Sequence, residues 1–305
     1  MKLEQLRNLV AVGRAGSVRQ AARELNLSQP AITRSIKLLE SELGCELLHR
    51  QSHGVTPTAS GQTLIRRALS IEDELRQAKS EIDDIEGVRS GDIRVSASPT
   101  VAFNLMPRAI LNLKAARPNV TVHVEEGVYP QVLPSVRAGE LDVAVCLMPE
   151  ELVDEELTAE VLVKDFLTPA VRTGHPLTKQ RNLGLGDLLD RDWIIFGRRG
   201  ESPDIYEQTF RLNGFEPPES TIESTSFTCA LALAEKSDYI VLVPSQIFAE
   251  RRPSWPVVPL SLKTQMQPWT IAAIMRTGDV LSPACRAFLR ELRAAAPLIG
   301  DDSAS

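Results

Sequence analysis

Residues 17–42 hold two helical segments separated by one short break, and a chain that opens this way has few folds available to it. Ser17 is placed to cap a helix from Val18 to Leu25, with Gln20 three residues on to reach back as the partner of a capping box. Asn26-Leu27 interrupts the pattern, and Ser28 caps a second helix carrying Pro30 in its first turn, where a missing N–H costs nothing. On that second helix Gln29, Pro30, Thr33, Arg34 and Lys37 share one face, while Ile32, Ser35, Ile36 and Leu39 share the opposite one. One face packs and the other is free to read. Ala21 and Ala22 let the two backbones approach closely, and the stripe Leu3, Leu6, Leu9, Val10 on a preceding helix completes a three-helix core. An amide, a hydroxyl and two cations gathered toward one end of a polar face match what base edges in a major groove require.

Further residues follow at short spacing: Leu38-Leu39-Glu40-Ser41-Glu42-Leu43-Gly44-Cys45-Glu46-Leu47-Leu48-His49-Arg50, then Val55-Thr56-Pro57-Thr58-Ala59-Ser60-Gly61. Together with Gly16-Ser17-Val18 and Leu27-Ser28-Gln29-Pro30-Ala31 they resemble the winged helix-turn-helix of LysR-type transcriptional regulators, and the resemblance continues more loosely to about residue 296. It departs from the family pattern in having Leu48 where an aromatic residue usually precedes the wing. The wing Gln51-Ser52-His53-Gly54 is also poor in permanent cations. The implied fold is α/β overall: an N-terminal winged helix-turn-helix at 1–60, a long linker helix and hinge at 58–90, and at 91–305 a two-lobed effector domain similar to periplasmic binding proteins. The DNA-contacting residues expected from helix, cap and wing are Ser28, Gln29, Pro30, Thr33, Arg34, Lys37, Arg50 and His53.

With 305 residues the chain exceeds what one core organises. Its net charge of −6 argues superficially against a polyanionic partner. The distribution removes the objection. Residues 1–60 carry eight Lys or Arg against five Asp or Glu, residues 61–90 five against seven, and residues 91–305 twenty-one against twenty-eight. The positive charge therefore gathers at the helical hairpin, and so modest an excess suits a protein that sets more than one head on double-stranded DNA. No signal peptide and no membrane span is read in the sequence, so the expected location is the cytoplasm.

Between Thr58 and Glu86 the apolar residues Leu64, Ala68, Ile71, Leu75, Ala78, Ile82 and Ile85 are spaced alternately four and three apart, and charged residues flank them. That spacing is a heptad seam, and a seam needs a partner. A two-fold dimer would place two reading helices on one side of a duplex and prefer an interrupted inverted repeat. The family resemblance extends this to a tetramer, and to contact with RNA polymerase. Gly87 to Gly91 is expected as the hinge.

From Asp92 the pattern alternates. Strands are expected at Ile93–Ala97, Val120–Val124 and Leu141–Leu147, with helices at Ser98–Ala116 and Pro130–Ala138, as a parallel α/β lobe. A second lobe is expected from strands at Trp193–Phe196, Thr221–Glu223 and Tyr239–Pro244 and helices at Pro203–Gly214, Phe227–Ser237 and Gln246–Glu250. The resemblance implies that the chain then returns to the first lobe, with Thr270–Met275 a strand and Pro283–Ala296 a closing helix. On that division lobe I is 91–164 with 268–296, and lobe II is 165–267. A small-molecule effector would bind between the lobes, at strand ends where helix N-termini favour an anion. The expected contacts are Ser98, Pro99 and Thr100 from one lobe and Ser226, Phe227 and Thr228 from the other, with Tyr129 and Phe196 as apolar walls and Arg198 or Arg199 as counter-charge. A small aromatic or aliphatic acid or a sulfonate fits that chemistry, and capping is the simpler role open to each hydroxyl.

Cys45, Cys146, Cys229 and Cys285 lie far apart with no metal-ligand spacing, and are read as small buried hydrophobes. Neither cofactor nor metal is expected. Gly184-Leu185-Gly186 lacks the third glycine of a dinucleotide fingerprint, and no catalytic motif accompanies it. The readings set against a ligand-responsive regulator are a redox-driven sensor closing a disulfide among Cys146, Cys229 and Cys285, a vestigial sensor, a solute-binding protein, and an enzyme using the cleft.

Overall fold

The computed structural model describes residues 1–51, 54–86, 90–148, 152–196, 205–219, 222–248, 256–263 and 268–296. The head consists of α1 (Leu3–Ala15), α2 (Val18–Glu24), α3 (Gln29–Leu43), and a two-stranded antiparallel ribbon of β1 (Leu48–Gln51) and β2 (Gly54–Pro57). Ser17 caps α2 by accepting from the Gln20 N–H, but the Gln20 side chain turns away and donates to Glu24 at 3.0 Å. Only the Ser17 half of the expected capping box forms. Asn26 breaks the helix at φ 54°, a left-handed conformation that its short polar side chain tolerates. Ser28 then accepts from the Ala31 N–H at 3.3 Å.

Two apolar clusters hold the head. Ile32 and Ile36 of α3 close on Val12, Ala21 and Ala22. Leu6, Leu9, Val10, Leu39 and Leu47 form the second, which also takes Ala68 and Leu69 of the long helix α4 (Ala59–Ile85). Gly61, in the first turn of α4, lies so close to the Leu47 carbonyl that any side chain there would strike backbone. The start of α4 thus belongs to the head. Further along, Ile71, Leu75, Ala78, Ile82 and Ile85 are exposed, so the expected seam divides: Leu64 and Ala68 pack within the chain, and the other five do not. Of the expected hinge, residues 87–89 lie outside the described residues, and Gly91 already opens a strand.

The remainder is built from β3 (Gly91–Ala97), α5 (Pro99–Phe103), α6 (Leu105–Ala116), β4 (Val120–Glu126), α7 (Leu133–Arg137), β5 (Val143–Met148), β6 (Leu157–Arg172), β7 (Trp193–Phe196), α8 (Ile205–Leu212), β8 (Ile222–Ser224), α9 (Phe227–Glu235), β9 (Ile240–Pro244), β10 (Val257–Pro259), β11 (Pro268–Arg276) and α10 (Pro283–Ala295). The strands join in the order β4-β3-β5-β11-β6-β9-β7-β8, with β10 also on β6. β3 runs parallel to β4 and β5, and β7 parallel to β8 and β9, whereas β11 and β6 run antiparallel to their neighbours. The three strands expected as a parallel lobe do pair in parallel, and β11 and β6 make the sheet as a whole mixed.

The antiparallel pair exists because both strands pass through both cores. Val163 of β6 lies among Ile93, Val95 and Phe288, while Leu167 and Val171 lie among Trp193, Phe210 and Leu260. β6 is absent from the sequence reading, since Lys164 and Pro169 interrupt its alternation. The single helix expected at 98–116 is two, broken at Asn104 (φ −118°, ψ −70°). The helix expected at 130–138 shortens to α7, and that at 246–250 is described only as a 3-10 turn over Ser245–Phe248. Among the described residues no helix is long and apolar enough to cross a membrane.

Candidate nucleic-acid interface and effector cleft

On α3 the structure sorts the side chains as the periodicity implies. Ile32, Ile36 and Leu39 are buried, while Gln29, Pro30, Arg34 and Lys37 are exposed and Thr33 is half-buried beside them. The orientation of the helix is held from behind by polar contacts as well as packing: buried Asn8 donates to Ser35 at 2.9 Å, and Glu40 accepts from the Leu47 N–H at 2.9 Å. That second bond ties the end of α3 to the strand entering the wing. Val55 N–H donates to Gly16 O at 2.9 Å, which docks the returning strand on the turn between α1 and α2. A cleft of about 540 Å³ results between α3 and the ribbon, with Thr33, Lys37 and His49 on its rim and Val18, Ile36 and Val55 among its lining residues. His49, exposed on β1, is the group at this cleft that the sequence reading passed over. The signal for it was available, since β1 places alternate side chains outward. The backbone of Arg50 lies in β1, its side chain is outside what is described, and His53 lies outside the described residues altogether.

At the carboxyl end of β3 the chain turns into α5 through Ser98. Ser98 and Thr100 are buried, and so is Ser96 two residues earlier. Ser98 sits in the cap position without capping: among the described residues its Oγ, like that of Ser96, has no hydrogen-bond partner. An unsatisfied buried hydroxyl costs about 1–3 kcal/mol, and here two occur two residues apart where β3 passes into α5. Gly127 closes over Ser96 from the neighbouring loop, its N–H donating to Ala97 O at 3.1 Å, and that loop carries half-buried Tyr129. Ser96, Ser98 and Thr100 are thus buried along one strand-to-helix passage, with the loop that carries Tyr129 closing on Ser96 to make one cluster. Ser96 is its member not anticipated from sequence, because a serine inside an alternating strand reads as an ordinary outward position.

Lobe II answers differently. Ser226 is exposed and does cap, accepting from the Cys229 N–H at 3.3 Å, which is the simpler of the two roles open to it. Phe227, expected as an effector contact, is buried in the lobe's own core, and Phe196, expected as an apolar wall, packs partly buried against the same core, meeting Phe227 edge to face with ring centroids 5.6 Å apart. Thr228 is exposed, and Arg198 and Arg199 lie outside the described residues.

The cysteines are free, and the reading of all four as buried hydrophobes is corrected: Cys146 and Cys285 are buried, Cys45 is half-buried and Cys229 is exposed. Cys146 and Cys285 are buried on opposite faces of the sheet, in separate cores. Burial pushes the Cys146 thiol up to about 12, against a hydrogen bond from the Tyr129 backbone, and raises that of Cys285 as well. Neither offers the accessible thiolate that a peroxide sensor needs. Among the described residues no group of His, Cys, Asp and Glu is arranged to hold a metal ion.

The chain matches two family models: residues 3–62 match the bacterial regulatory helix-turn-helix protein, lysR family, and residues 86–297 match the LysR substrate binding domain. It is 29% identical over 97% of its length, and 86% of the relative's, to the HTH-type transcriptional regulator GbpR of Azospirillum brasilense. It is 30% identical over 82% of its length, and 80% of the relative's, to the HTH-type transcriptional regulator PcaQ of Agrobacterium fabrum (strain C58 / ATCC 33970). Among solved structures, full-length CbnR complexed with its target DNA superposes with a TM-score of 0.68 at 23% identity, over 97% of this chain and all of that one.

Proposed function

The chain belongs to the LysR family of bacterial helix-turn-helix transcriptional regulators, and from that premise we propose how this member reads DNA and what its cleft takes. As a family member it is a DNA-binding transcriptional regulator with an effector-binding domain, of a kind with relatives that are regulators and not enzymes. The observation that carries the finer reading is the exposed face of α3. Gln29 and Thr33 touch base edges, Arg34 and Lys37 serve bases or phosphate, and Ser28 and His49 flank them. Two such heads, joined through the exposed run Ile71 to Ile85 on α4, engage an interrupted inverted repeat, and two dimers make the working tetramer.

The effector is a small organic acid or sulfonate seated between the lobes, with the Ser96 and Ser98 hydroxyls among its hydrogen-bond donors. It acts by binding one arrangement of the lobes better than another, since equal affinity for both shifts nothing.

Electrophoretic titration against a duplex from the gene's own upstream region tests the reader. Arg34→Ala costs about 1–3 kcal/mol, with preference relaxed at one position if Arg34 reads guanine and with uniform weakening if it grips phosphate. Binding that does not distinguish the upstream duplex from a scrambled one at moderate salt overturns the assignment. A thermal-shift screen of small organic acids, run on the parent and on Ser98→Ala, tests the cleft.

A further inference from the structure

Opposite its exposed apolar run, α4 has a second face that is charged and covered. Asp73 and Gln77 are buried there, and Arg76 nearly so. Arg76 pairs with Asp73 on its own helix and with Asp142 at the start of β5, and it donates to Asp92 O at 2.7 Å. Asp73 also takes Arg276, which pairs with Asp279 as well and donates to Val136 O at 3.0 Å. Gln77 donates to Asp73 at 2.9 Å, and the Arg94 N–H to Asp142 at 2.7 Å. Along its length the cluster alternates in sign: Asp142, Arg76, Asp73, Arg276, Asp279. Two members belong to the linker helix and three to lobe I.

The turn after α7 brings the head to the same place. Ala138 packs in one cluster with Leu6, Leu9, Leu39 and Ala68, and Glu140 pairs with Arg14 of α1 at 2.7 Å. Between them Gly139 adopts φ +73°, and a Cβ there would stand 2.9 Å from Nη1 of Arg276, so the close approach of that guanidinium depends on glycine. Arg276 is the last residue of β11. Near the other end of that strand Trp269 is buried in the core of lobe II, and Ile271, Ala273 and Met275 lie between them in the core of lobe I. One extended strand therefore runs from the interior of lobe II to the linker helix.

We propose that β11 and the Arg276–Asp73–Arg76–Asp142 clamp transmit the arrangement of the lobes to the DNA-reading head. A change of inter-lobe angle moves the Trp269 end of the strand; the Arg276 end shifts against α4, and the helix carries the head with it. A buried charge cluster suits such a joint because half-separated it strands charges, which favours discrete states over gradual creep. Asp73 is the positioning residue on which the joint turns. Replacing it by Asn leaves Asp142 with Arg76 and Arg276 with Asp279, two balanced pairs, so the fold keeps no stranded charge.

The test is hydrogen exchange by mass spectrometry on the full-length chain, comparing parent, Trp269→Leu, Asp73→Asn and the double variant. Trp269→Leu speeds exchange in α4 residues 70–79 by about fivefold or more in the parent, and that transfer is lost in the Asp73→Asn background. Unaltered α4 exchange in Trp269→Leu overturns the proposal, as does a transfer that survives Asp73→Asn. Should Trp269→Leu unfold lobe II, Trp269→Phe keeps an aromatic ring there and carries the same comparison. The proposal rests on the regulator reading for its purpose alone: its readout needs neither DNA nor effector, so it fails separately from a failure to prefer the upstream duplex.

Discussion

The two halves of α4 carry the same heptad spacing and meet opposite fates. Leu64 and Ala68 are absorbed into the head, Ala68 completely, while Ile82 is 60% exposed and Ile85 83%. Spacing counts apolar residues along a helix, but what covers them depends on what the fold brings alongside. The first half had α1, β2 and Leu39 of α3 within reach. The second half turns its charged face to lobe I and its apolar face outward, and an apolar stripe of that length on a surface is a contact surface. Partnered and unpartnered groups can thus share one sequence signature, and the distinction predicts how each responds to substitution.

The largest effect separates the two halves directly. Ala68→Asp puts a carboxylate into a closed apolar cluster and costs at least about 3 kcal/mol, enough to melt the head while the effector domain stays folded. Leu75→Asp, one heptad beyond, leaves the far-ultraviolet spectrum intact and lowers the oligomer mass measured by light scattering by half or more. If Leu75→Asp instead unfolds the chain without changing its mass, the second half is intrachain surface too and the comparison fails.

What could be read in advance follows the same division. The head was legible because each of its decisions is local: Ser28 caps its own helix, and Ile32 and Ile36 face inward by period alone. The clamp was not legible. Asp73 and Arg76 look like the soluble flank of a heptad, and nothing near them in the chain announces Arg276, two hundred and three residues on. In the cleft, sequence singled out Ser98 and Ser226 on equal terms as helix-opening serines, and only packing tells the one with no partner from the one already in use. β6 escaped notice for a related reason. A strand that changes cores midway, with Val163 in one and Leu167 in the other, has no single alternation to display.

Those two serines give a finer version of the comparison. Ser226→Ala removes a working cap and lowers stability by about 1 kcal/mol in urea unfolding. Ser98→Ala removes a buried hydroxyl with no hydrogen-bond partner among the described residues, so stability stays level or rises while affinity for an acid in the cleft falls. A loss of stability at Ser98 matching that at Ser226 would mean that Ser98 is an ordinary cap and that the cleft chemistry lies elsewhere.

The smallest effect sets a lower bound on what having a partner is worth. Glu160 on β6 accepts from Arg293 of α10 at 2.7 Å, and this hydrogen bond draws its carboxyl below the ordinary value of 4.5, with burial opposing it. A carboxylate whose affinity for protons falls on folding stabilises the chain above the unfolded value, and that contribution disappears as pH falls through the lowered folded value. Glu160→Gln should therefore depress the melting temperature at neutral pH, and the gap from the parent should close on acidification below 4.5. Both side chains keep much of their solvent, so the difference at neutral pH stays under about 1 kcal/mol and shrinks with added salt. A gap that stayed constant across the acid limb would assign the loss to packing of the side chain on α10, making this contact one of shape instead of charge.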